Sequence, residues 1–128
     1  MRFAPILAAG IAMLGAPPAL SQGALTVDVG LSNFEFTPPL IGLQQGRSYL
    51  LRLRNGSGSG HDFTARAFFA AATIAPEDRR WIERGEVDVP PGEVREIALT
   101  APPAGRYKVK CTHRFHKMLG MSGTILVR

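Results

Sequence analysis

The sequence predicts an all-β protein, a Greek-key β-sandwich interrupted by one short, partly helical insertion. Three observations carry that expectation. Fourteen glycines and ten prolines punctuate a chain of 128 residues, which implies many turns between short elements and no long helices. Apolar and polar residues alternate with period two through most of the stretches between those turns, as half-buried strands require. The length suits one domain around one core, which excludes an enzyme built from separate cofactor and substrate modules. At 45% apolar and 20% charged residues, the composition is that of a globular chain and not of a disordered tail or a membrane bundle.

The first element in order is a leader. Arg2 precedes an apolar run over residues 3–14, followed by Pro17, Pro18, Ala19, Leu20 and Ser21. A basic start, a short apolar centre and small residues at the −3 and −1 positions form a secretory signal, expected to be cleaved after Ser21. Residues 22–128 then make up the working domain. The apolar run falls short of the ~20 residues that span a bilayer, and no cysteine stands near the cleavage point to accept a lipid. The expected product is a soluble periplasmic protein, a monomer without a membrane span. Loss of Arg2 lowers the net charge from +5 to +4. An exported chain with no basic-aromatic platform is not expected to bind nucleic acid, and its charge suits an acidic protein face or an anionic surface.

Beyond the leader, Leu25, Val27 and Val29 alternate with Thr26 and Asp28, and Phe34-Glu35-Phe36 repeats the pattern before Pro38 and Pro39 break it. These read as two strands. Over residues 47–54, Tyr49, Leu51 and Leu53 share one face while Arg52 and Arg54 share the other, and a flexible Gly-Ser run follows at 55–60. The alanine-rich segment 65–85 is the insertion, with Pro76-Glu77-Asp78 opening a helix expected to run through Trp81 and Ile82. Strands resume at 87–89, at 94–100 and at 107–111, separated by Pro-Gly turns. In the last of these Tyr107, Val109 and Cys111 point inward and Lys108 and Lys110 outward. A final strand at 124–127 buries Ile125 and Val127.

The chemistry lies just past that inward-pointing Cys111. A single cysteine excludes an internal disulfide and a zinc site of several thiolates, and a free thiol in an oxidising compartment is at risk unless it is buried or ligated. One short loop holds Cys111, His113, His116, Met118 and Met121, and the remaining histidine, His61, lies fifty residues upstream. Thiolate, imidazole and thioether together are a ligand set for copper: sulfur favours Cu(I), imidazole also serves Cu(II), and zinc gains little from methionine.

These motifs resemble those of the cupredoxins, the small blue copper proteins. Gly105-Arg106-Tyr107, then Cys111-x4-His116-x4-Met121, then Gly123-Thr124-Ile125-Leu126-Val127 is similar to the longer-loop, rusticyanin-like version of the family's ligand region. Gly60-His61-Asp62-Phe63 looks like its upstream histidine segment. The resemblance covers most of residues 24–128. It implies a cupredoxin-like sandwich and one copper per chain, held by His61, Cys111 and His116 with Met121 as a weak axial ligand. Two departures are Arg114-Phe115, where many relatives have Pro-Gly, and the additional His113. Solvated, supporting and ligating roles are all open to His113, and Met118 is expected to pack beside the metal edge.

A closed four-ligand site leaves no position for a substrate, and no general base stands beside a cleft, so an enzyme is not expected. The expectation is a one-electron carrier with an acidic redox protein as partner. The alternative is a periplasmic copper carrier, chaperone or copper-resistance protein that delivers the ion to a copper-accepting partner.

Overall fold

The computed structural model describes residues 2, 4, 23–113 and 120–128. Two five-stranded sheets face each other. The first contains β1 (Leu25–Ser32), β2 (Glu35–Thr37), β4 (Ser48–Asn55), β6 (Thr73–Ile74) and β8 (Val94–Thr100), in the order β2-β1-β4-β8-β6. The second contains β3 (Leu40–Leu43), β5 (His61–Thr64), β7 (Glu86–Val89), β9 (Gly105–Lys110) and β10 (Ser122–Val127), in the order β3-β10-β9-β5-β7. β1 and β4 run parallel, as do β3 and β10, and the other pairings are antiparallel. Among the described residues no helix is long and apolar enough to cross a membrane.

Period-two alternation decides which side chains meet between the sheets. Val29, Leu31, Leu51, Leu53, Ile97 and Leu99 come from the first sheet and Phe63, Val87, Val89, Val109, Ile125 and Val127 from the second, each no more than 4% exposed. Phe36 and Phe63 meet edge to face at 5.7 Å, a preferred aromatic geometry. Burial of each such side chain is worth roughly 1.5–3 kcal/mol, so this double layer is the main source of the rigidity that positions the loops at its ends. The outward residues of the first sheet form an ion-paired ladder in which Arg52 meets both Asp28 and Glu96, and Arg54 meets Asp28.

The structure departs from the sequence expectation in three places. β3 was hidden by Pro38-Pro39; Ile41 and Leu43 nonetheless alternate into the core, and pairing with β10 supplies the hydrogen bonds that a four-residue strand could not keep alone. The insertion opens with an unanticipated α1 (Arg66–Ala71), which buries Phe68 and Phe69. The expected helix at Pro76 is a 3-10 helix over Pro76–Trp81, tied to β8 by the Ala98 N–H donating to Asp78 Oδ2 at 2.9 Å. Lastly, the Gly-Ser run after β4 is not loose. The buried Asn55 amide donates to Ser59 O and Val89 O, and its Oδ1 accepts from the Ser57 N–H and hydroxyl.

Candidate metal centre

Two strand ends meet at one end of the sandwich. His61 opens β5 and Cys111 directly follows β9, and both side chains are fully buried. β5 pairs with β7 along its length but with β9 only at Thr64↔Lys110, so β5 and β9 are held together at one point. Met121 is 1% exposed, and its carbonyl accepts the Cys111 N–H at 3.1 Å, which closes the base of the loop that carries the other candidate donors. His116 and Met118 lie in that loop, outside the described residues, together with Arg114, Phe115 and Lys117. Among the described residues no three His, Cys, Asp or Glu side chains cluster closely enough to hold a metal.

The link between His61 and Cys111 is Asp62, a residue to which sequence pattern assigns no role. Its N–H donates to Cys111 Sγ at 3.5 Å, and the thiol donates to Asp62 Oδ2 at 3.8 Å. The carboxylate is fully buried yet well satisfied: it accepts the Thr112 N–H at 2.9 and 3.0 Å, the Thr112 hydroxyl at 2.8 Å and the Thr64 hydroxyl at 2.7 Å. A buried carboxylate is tolerated only with such donors, and here they staple the Cys111 loop to β5. The sequence signal was faint: Asp62 and Thr64 sit two apart on a strand, on the face opposite His61 and Phe63.

His61 is fixed from the other side. Its Nε2 lies 2.9 Å from Ser57 Oγ, and Ser57 is itself held by Asn55. Burial pushes the Cys111 thiol above its ordinary value, while backbone N–H groups of Asp62 and His113 pull it back. A thiol in this setting ionises readily only when a cation replaces its proton.

His113 stands at the edge. Its side chain is 39% exposed, and its Nε2 lies 3.7 Å from Asp62 Oδ2 and 3.6 Å from Asp88 Oδ1. Those two carboxylates are direct cross-strand neighbours, a repulsive arrangement, and the imidazole lies between them. The His61 and His113 ring centroids are 6.5 Å apart. A Cβ at Gly60 would come 3.2 Å from His113 Cε1, so the glycine gives the ring its room.

Comparison with known proteins agrees with this architecture. Residues 5–127 match the family model of the cupredoxin-like domain. No curated protein matches the sequence. Among solved structures, auracyanin A, a "blue" copper protein from Chloroflexus aurantiacus, is 19% identical with a TM-score of 0.60, over 83% of this chain and all of that one. Auracyanin from Roseiflexus castenholzii is 18% identical with a TM-score of 0.61, over 83% and 99% of the two chains. A multicopper oxidase from Aquifex aeolicus shares the fold at a TM-score of 0.65 and 15% identity, over 90% of this chain but 32% of its own. With the family model spanning nearly the whole chain and the two-sheet sandwich in agreement, the protein belongs to the cupredoxin-like family.

Proposed function

We propose that this is an exported copper protein that carries single electrons, with one copper per chain held by His61, Cys111, His116 and Met121. The observation that supports the reading best is the Cys111 thiol, fully buried and bonded to the residue that follows a fully buried histidine. The donors fit the ion: thiolate, imidazole and thioether suit copper in both oxidation states. With Nε2 of His61 engaged by Ser57, Nδ1 is the ring nitrogen that would ligate. Bound copper supplies the one-electron chemistry. The chain holds its donors in place through Asp62, Asn55 and the rigid sheets, so that little rearranges between oxidation states. Removal of residues 1–21, a periplasmic location and an acidic redox partner belong to the same reading.

Copper delivery is the second reading, supported by the half-exposed His113 beside the site. One experiment separates the two: addition of one equivalent of Cu(II) to the purified protein, followed by visible absorption and EPR. Electron carriage predicts an intense thiolate-to-copper band that bleaches and returns on reduction and reoxidation, and that Cys111→Ser abolishes. Delivery predicts a colourless Cu(I) form that yields its metal to a competing acceptor. A protein that retains no copper sinks both.

A further inference from the structure

The insertion ends in a two-residue hairpin. The Glu83 and Glu86 backbones exchange N–H···O bonds of 2.9 Å, with Arg84 at φ 53° and Gly85 at φ 76° between them. A turn with two positive φ values favours Asn-Gly or Gly-Gly. Gly85 is obligatory twice over, because a Cβ there would fall 2.6 Å from Arg66 Cα. Arg84 has no such excuse. Left-handed backbone disfavours a long side chain, and a residue held there without structural need points to a use for that side chain.

The use lies in the cleft beside it. A cavity of about 510 Å³ is lined by Arg66, Arg80, Trp81, Arg84 and Arg95. The guanidinium carbons of Arg80 and Arg95 lie 4.6 and 4.4 Å from the Trp81 ring centroid, within cation–π range. Arg95 is anchored by Glu93 and by the Val94 carbonyl, while its buried Nε has no hydrogen-bond partner. Among the described residues Arg66, Arg80 and Arg84 form no ion pair, although Glu83, Glu86 and Asp88 line the same cleft.

We propose that this cleft binds a phosphate-type oxyanion, gripped by Arg66, Arg80 and Arg84 over the Trp81 surface. Guanidinium forks suit an ion with several oxygens, which each can meet with two N–H groups. The three carboxylates nearly cancel the local charge, so a monatomic anion gains little and an ion that makes paired contacts is selected. This reading is independent of copper.

Trp81 is the only tryptophan in the chain, and its fluorescence reports on the cleft. Inorganic phosphate titrated into the purified intact protein, kept reduced and at constant ionic strength, should change the emission saturably, whereas chloride should not. Arg84→Asn should weaken phosphate binding by about tenfold while leaving the thermal midpoint equal or higher, since asparagine suits the left-handed position. Arg80→Gln should weaken it similarly. A simple phosphomonoester that binds as well as inorganic phosphate assigns the site to a terminal phosphate group, and one that binds more weakly assigns it to the free ion. Identical responses to phosphate and chloride, or unchanged phosphate affinity in both variants, would overturn the proposal.

Discussion

Asp62 concentrates the physics of the site in one side chain. Its carboxylate satisfies the buried Thr64 hydroxyl and both donors of the partly buried Thr112, so Asp62→Ala leaves one buried and two partly buried groups without an acceptor. The expected loss is about 3 kcal/mol, with Asp62→Asn costing about half as much because one acceptor oxygen survives. Urea denaturation of the two variants checks this; an alanine variant as stable as the parent would show that the staple contributes nothing. His113 differs in kind, being half-exposed and beside the buried pair. His113→Ala should therefore keep copper stoichiometry and the thiolate band, while His116→Ala should destroy the band, as visible spectra of copper-loaded protein will tell.

At the scale of elements, the loop after β4 and the hairpin before β7 each set part of the site's surroundings. Asn55 makes four hydrogen bonds that hold the loop bearing Ser57, and Asn55→Ala should cost about 2 kcal/mol by orphaning buried partners. The same change should broaden the His61 resonances in NMR spectra. Glu86 opens β7, where partial burial and the charges of Asp62 and Asp88 raise its pKa above the ordinary 4.5. The folded state therefore holds this proton more tightly than the unfolded chain, and the protonated carboxyl contributes stability that is lost as pH rises through the folded value. Glu86→Gln should flatten the pH dependence of the unfolding midpoint in the window just above the ordinary value. An unaltered profile would assign that dependence elsewhere.

Across the whole molecule, charge is divided between the two outer faces. The first sheet's carries Asp28, Arg52, Arg54 and Glu96 in mutual ion pairs. On the second, Arg106, Lys108 and Lys110 are exposed and form no ion pair among the described residues. Glu86 and Asp88 lie on the same face along β7, so the positive charge is confined to β9. Charge placed there steers encounter with an acidic protein, and salt screens it over about 8–10 Å. The association rate with an acidic redox partner should fall as ionic strength rises, and Lys110→Glu should lower it further at low salt. Stopped-flow kinetics over a salt series measure both effects, and a flat series would remove electrostatics from partner choice.

Much of this was legible in the sequence because it depends on local periodicity. Period-two alternation marked β1, β4, β8, β9 and β10 and the inward direction of Cys111, and residue chemistry alone singled out the thiol, imidazoles and thioethers for copper. β3, α1 and the pinned Gly-Ser loop were not legible, since each owes its form to partners distant in sequence: β10 for β3, a buried Phe pair for α1, the carbonyl of Val89 for Asn55. The same holds for Asp62 as the staple between two strand ends, and for the four arginines that line one cleft with Trp81, drawn from α1, the 3-10 helix, the hairpin and β8. Sequence spacing sets which face a side chain takes within its own element. Only packing one sheet on the other and folding the insertion across the edge brings residues from separate elements within hydrogen-bonding reach, and that long-range closure decides which buried polar groups find partners.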